Sequence, residues 1–134
     1  MPADATDSGL APAILTELRA LAEASPEQEI CGLIGRDPEG RCQVYPVANT
    51  ASRPRTRFLL EARGQIEAMR HMRSRGQALY AIYHSHPHGP ARPSARDRAL
   101  AAYPGLLYLV IALRAGAAPQ IGVYTYDGED FIPR

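Results

Sequence analysis

Apolar residues along this chain recur with two different periods. Leu10, Ile14, Leu15, Leu18, Leu21 and Ala22 return at spacings of three and four, which predicts an amphipathic helix over 10–24 ended by Ser25-Pro26. Ile30 to Gly35 is a short apolar run, RDPEGR (36–41) reads as a hairpin turn, and Cys42 to Ala48 as the returning strand. NTASRPRT (49–56) predicts a loop, Phe58 to Leu60 a short strand, and 61–75 a helix with Ile66, Met69 and Met72 inward, closed by Gly76. ALYAIYHSH (78–86) is apolar at odd and even positions alike, as a central strand covered on both faces requires. A helix from Ser94 to about Tyr103 is stopped by Pro104-Gly105, and LLYLVIAL (106–113) and IGVYTYDG (121–128) complete the pattern as a buried strand and one nearer an edge. Residues 1–8 are small and polar, so the expected organisation is a loose terminus followed by one α/β domain over 9–134, a mixed central β-sheet flanked by helices.

Composition narrows this little. The 134 residues are 46% hydrophobic and 22% charged with a formal charge of +1, which favours a globular fold and argues against a general nucleic-acid binder. All fifteen basic residues are arginine, several of them clustered, so local recognition of carboxylates or other anions stays open. No basic region precedes an apolar run at the N-terminus and no apolar stretch is long enough to span a bilayer, so no membrane association and a cytoplasmic location are expected, with Cys31 and Cys42 as free thiols.

The chemistry concentrates in HSHPHGPARPSARD (84–97), which holds three of the four histidines and three prolines. At the end of a strand, His84 and His86 share a face while Ser85 points the other way. Asp97 follows one turn into the next helix, where side chains lean back toward the helix N-terminus. Two histidines and a carboxylate form a zinc set that leaves one tetrahedral position for water. The same Ser94 and Asp97 also fit a helix capping box, and the two roles are compatible because a carboxylate has two oxygens. Hydrolysis needs a base besides the ligands, and none lies between the histidines. Glu29, entering the apolar segment ICGLIG, is the best-placed acid; Glu27 is its rival, two residues earlier. His88 and His71 read as exposed side chains, with His88 close enough in sequence to interfere at the metal.

The spacing H-S-H, seven residues, S, two residues, D, with an upstream E-I-C-G-L-I-G, resembles the JAMM motif of the MPN/Mov34 metallopeptidases. The order of predicted elements fits that fold too, which layers its sheet and helices much as cytidine deaminases do. The resemblance implies that His84, His86 and Asp97 ligate one Zn²⁺, that Glu29 is the general acid/base for the zinc-bound water, and that Ser94 hydrogen-bonds the oxyanion. It further implies cleavage at the C-terminal Gly-Gly tail of a ubiquitin-like protein; the compact motif segment is most similar to short bacterial members that act on sulfur-carrier proteins. Noncatalytic MPN scaffolds, which usually lose metal ligands, and a phage-tail or cell-wall peptidase are the competing expectations within the family. A zinc deaminase would need H-x-E with P-C-x-x-C, and the chain has no C-x-x-C.

Overall fold

The computed structural model describes residues 8–101 and 103–134. Its elements are α1 (Pro12–Glu23), β1 (Cys31–Arg36), β2 (Cys42–Val47), α2 (Ala62–Ser74), β3 (Ala78–His86), α3 (Ala95–Leu100), β4 (Leu107–Arg114), β5 (Ala117–Tyr126) and β6 (Phe131–Pro133). The strands form one six-stranded mixed sheet in the order β2-β1-β3-β4-β5-β6, with β3 and β4 parallel and the other neighbours antiparallel. The expected α/β architecture with a mixed central sheet is therefore what the chain adopts.

Strand alternation divides the core between the two faces of the sheet. On one face, Leu15, Leu18 and Ala22 of α1 pack on Ile34, Ala81, Tyr83, Leu109, Ile111 and Val123. On the other, Ala68 and Met72 of α2 pack on Leu33, Ile82, Tyr108, Val110 and Tyr124. All six apolar positions read as the inner stripe of the first helix belong to the first cluster. Pro12 opens α1, where its missing N–H costs no helical hydrogen bond.

Helix α2 departs from its sequence reading in phase. Met72 is buried, but Ile66 and Met69 are 55% and 39% exposed, and Ala68 faces the sheet instead. The inward stripe is Gly64, Ala68 and Met72: a Cβ on Gly64 would lie 3.2 Å from Val47 Cγ1, and one on Gly35 of β1 would lie 2.9 Å from Met72 Cγ. Small residues let the helix approach closely, and that geometry outweighs the larger apolar side chains in fixing which face turns in. Gly76, at φ +69°, ends the helix as expected.

Three other boundaries move. Phe58–Leu60 forms no strand, only an isolated bridge between Leu60 and Asn49. α3 stops at Leu100, short of the expected Tyr103, because Ala101 is already extended. β5 starts at Ala117, after a turn through Gly116 at φ +71°, and β6 pairs along its end without having been anticipated from the sequence. The loose terminus expected over 1–8 lies outside the described residues except at Ser8, which is buried and whose carbonyl accepts from the Tyr80 hydroxyl at 2.5 Å. Cys31 and Cys42 are free thiols, and no helix among the described residues is long and apolar enough to cross a membrane.

Candidate metal centre

β3 ends in the middle of the sheet, with β1 antiparallel on one side and β4 parallel on the other. The antiparallel partner starts where β3 finishes, so the residues that lead into β1 lie beside His84 and His86. Parity then selects the side chains. Ile82 faces the α2 side of the sheet, so His84 and His86 do too. Leu33 faces that side as well, and Glu29 has its parity. The two backbones are stitched together there: the Ile30 N–H donates to Ser85 Oγ at 2.8 Å and the Ser85 N–H to the Ile30 carbonyl at 3.0 Å. Ser85, pointing away from the histidines, is thus a strand clasp.

The turn after β3 folds back over the sheet because β5 makes room for it. Ala91 is buried, its carbonyl accepts from the Tyr124 hydroxyl at 2.7 Å, and a Cβ on Gly122 would come within 2.0 Å of that carbonyl oxygen. Only glycine allows this approach. The loop then delivers Ser94 as N-cap of α3, in a full capping box: Ser94 Oγ accepts from the Asp97 N–H at 3.0 Å and Asp97 Oδ2 accepts from the Ser94 N–H at 2.8 Å.

Four acid and imidazole groups converge. Glu29, His84, His86 and Asp97 each offer one ligand atom, all within 4.8 Å of one another. Asp97 Oδ2 lies 3.0 Å from His84 Nε2 and 3.2 Å from His86 Nε2, and the two Nε2 atoms are 3.1 Å apart. A tetrahedral ion with bonds of about 2.0–2.2 Å has donor-to-donor edges of roughly 3.3–3.6 Å, so this triangle fits zinc with a small expansion. His86 Nδ1 is 2.9 Å from the Pro90 carbonyl, which can only accept. Nδ1 therefore carries a proton, and whenever the ring is neutral its Nε2 lone pair faces Asp97 Oδ2. Lone pair against lone pair is favourable only with a proton or a cation between them, and this arrangement of outer carbonyl, imidazole and metal position is common at zinc sites.

The electrostatics follow from burial and contact. Burial penalises the charged form of His84 and, despite the opposing contact with Asp97, holds its pKa below the ordinary value. His86 meets the same burial cost, but hydrogen bonding to Asp97 and Pro90 outweighs it and moves its pKa up. Asp97 is also buried, yet the contacts with both histidines overcome desolvation and hold its carboxyl well below the usual carboxylate range. Glu29 is 4% exposed; burial is the main cause lifting its pKa from 4.5 to about 7, with His86 opposing and Asp97 adding. Its Oε1 is buried without a hydrogen-bond partner among the described residues, an orphaned acceptor beside the triangle.

The sequence candidates separate cleanly. Glu27 is exposed and pairs with Arg55 at 3.3 Å, away from the cluster that Glu29 joins. Ser94 is exposed at the rim, and because its Oγ accepts the cap bond its own hydroxyl proton stays available. His88 and His71 are exposed, and neither belongs to the cluster. Phe58 was missed: it stacks on His84 with ring centroids 4.4 Å apart and 18° between planes. Its only sequence signal was an aromatic in a polar loop. Phe58 and its neighbours Leu59 and Leu60, with Tyr108 and Phe131, line an apolar groove that reaches His84 and Asp97. A second cleft is lined by Glu29, His86, Ser94, Arg55 and Arg92.

Known proteins share this organisation. A desampylase of Haloferax volcanii is 35% identical over 112 residues, 82% of this chain and 77% of the relative. A probable TtuB-protein conjugate cleaving protease of Thermus thermophilus is 38% identical over 85 residues, 63% of this chain and 56% of its own length. Solution structures of proteins from Desulfitobacterium hafniense and Salinibacter ruber superpose with TM-scores of 0.79 and 0.66 at 33% and 30% identity, covering 92% and 93% of this chain and 88% and 87% of theirs. The model for prokaryotic homologs of the JAB domain matches residues 11–123, nearly the whole sheet and the entire cluster. The chain belongs to that family, the prokaryotic JAB-domain proteins.

Proposed function

We propose that the protein is a zinc-dependent peptidase or isopeptidase that hydrolyses the bond at the C-terminal Gly-Gly tail of a small ubiquitin-like sulfur-carrier protein. The observation that carries this reading is the buried, unpartnered Glu29 carboxyl within reach of a His84–His86–Asp97 triangle sized for one zinc ion. One relative is named a desampylase and the other a probable protease that cleaves TtuB-protein conjugates, which supports a deconjugating activity. An intact donor set argues against a scaffold without catalysis.

His84, His86 and Asp97 would hold the metal, which supplies polarisation of the scissile carbonyl and acidification of water. Glu29 takes the proton from the attacking water and hands it to the leaving nitrogen. Burial raises the proton affinity of this carboxyl above that of a free one, which helps it hold the proton between the two transfers. Ser94 donates its free hydroxyl proton to the carbonyl oxygen as negative charge develops there. Glu29 lines the second cleft, so we assign the leaving amine to that side and the tail to the groove past Phe58.

The reading is tested with a sulfur-carrier protein joined through its Gly-Gly tail to an amine. Glu29→Gln should retain zinc yet lose cleavage by on the order of 10²-fold or more, while Glu27→Gln cleaves as the wild type does. Full activity in Glu29→Gln, or a loss confined to Glu27→Gln, overturns it.

A further inference from the structure

The segment between β2 and α2 pairs with no strand of the sheet, its one bridge joining its own ends at Asn49 and Leu60, yet it supplies a wall of the site and one anchor of its acid. A single side chain organises it. Asn49 donates through Nδ2 to the Glu29 carbonyl and to the Arg57 carbonyl, both at 2.9 Å, and accepts at Oδ1 from the N–H groups of Ala51 and Leu59, both at 3.0 Å. Two donors and two lone pairs exhaust what a carboxamide offers. The Glu29 N–H is held by the same segment, donating to the Pro54 carbonyl at 2.7 Å. Both backbone polar groups of Glu29 are therefore bonded to this loop and not to a strand. Phe58 sits between the two residues, Arg57 and Leu59, that Asn49 grips, and stacks on His84.

We propose that Asn49 is a positioning residue for the reaction, fixing Glu29 and Phe58 as one unit against His84. It touches no reacting atom; it acts by holding the carbonyl of the acid-bearing residue and both flanks of the aromatic wall. Misplacing a proton-transfer group by about 1 Å can cost on the order of 10²-fold in rate, so a bond at the backbone of Glu29 has leverage on the chemistry. Aspartate at this position keeps the acceptors, lacks the donors, and puts a carboxylate oxygen against two carbonyl oxygens. The metal triangle comes from β3 and α3 and does not depend on Asn49.

This inference rests on Glu29 being the proton carrier, and a double-mutant cycle on the zinc-loaded protein tests it: wild type, Asn49→Asp, Glu29→Gln and the double variant in single-turnover cleavage. Asn49→Asp should lower kcat by about 10-fold or more with KM changed less than about 2-fold and zinc content unchanged, and should add less than about 2-fold in the Glu29→Gln background. An unchanged kcat, or an equal proportional loss in both backgrounds, overturns the positioning role. If Glu29→Gln itself cleaves normally, the functional reading fails first. Amide exchange in the metal-free protein separates that case. Asn49→Ala should speed exchange at Ala51 and Leu59 while leaving the β3 amides protected, and unaltered exchange at Ala51 and Leu59 overturns the clamp itself.

Discussion

Two segments enclose the candidate metal centre, and they are built on opposite principles. Residues 84–97 carry the chemistry in the sequence itself: a strand end that pairs two histidines, and a helix start that returns a serine and an aspartate through its own capping box. Residues 49–60 contain almost no chemistry. They hold Glu29 and present Phe58 through the four hydrogen bonds of Asn49 and one from Glu29 to Pro54. The first segment supplies the candidate metal-binding atoms, and the second holds the Glu29 acid beside them. Local order in the first is redundant, since strand pairing, the Tyr124–Ala91 bond and the cap all support it. In the second, one carboxamide makes four of the bonds, beside a few backbone ones such as those from the Thr50 N–H to the Leu59 carbonyl and from the Glu61 N–H to the Ala48 carbonyl.

That contrast orders the expected effects of mutation. Beyond Glu29→Gln and Asn49→Asp, the largest should come from Ser94→Ala, which strikes the first segment twice. Loss of an oxyanion donor lowers kcat by on the order of 10²-fold, and loss of the cap destabilises α3 by about 1 kcal/mol. Steady-state kinetics beside thermal unfolding separate the two, and a rate loss that vanishes once folding is restored at lower temperature would leave Ser94 only its capping role.

A smaller effect concerns stability against pH. In the metal-free protein the Glu29 pKa is raised above its ordinary value, to about 7, so the native state keeps this proton longer than the unfolded chain does. Its contribution is fully present below pH 4.5 and is lost as pH rises through about 7. Glutamine has no such dependence. Glu29→Gln should therefore stabilise the metal-free protein by under about 1 kcal/mol at pH 5 and by on the order of 3 kcal/mol at pH 8. Denaturant melts at the two pH values check this, and an advantage that does not grow with pH contradicts the buried, uncompensated carboxyl.

The same contrast explains what could be read from the chain alone. The central, doubly covered β3, the α1 stripe and the histidine pair follow from periodicity and strand parity, which are local; parity does not separate Glu29 from Glu27, two residues earlier, and the fold does. Phe58 and Asn49 act through partners in other elements, and nothing in NTASRPRTRF marks one as a clamp and the other as a wall. Gly122 and Tyr124, which seat the motif loop, lie in a strand whose alternation shows its burial and not its neighbour. In α2 the small residues Gly64 and Ala68 win the inner face from Ile66 and Met69, because close approach to β1 and Val47 is a property of the pair of elements and not of the helix. Gly32 differs, because a glycine inside a strand is itself a signal of close approach: a Cβ there would lie 2.3 Å from the Tyr83 hydroxyl oxygen and 2.5 Å from the Tyr45 carbonyl oxygen.

The central claim is that two histidines and one aspartate of the 84–97 segment form a single zinc site from which the adjacent His88 is excluded. Elemental analysis after equilibration with zinc and removal of the excess tests it on wild type, His86→Ala and His88→Ala. The account predicts about one zinc per chain in the wild type and in His88→Ala and nearly none in His86→Ala. Wild-type protein without zinc at neutral pH, or His86→Ala that retains it, would contradict the account.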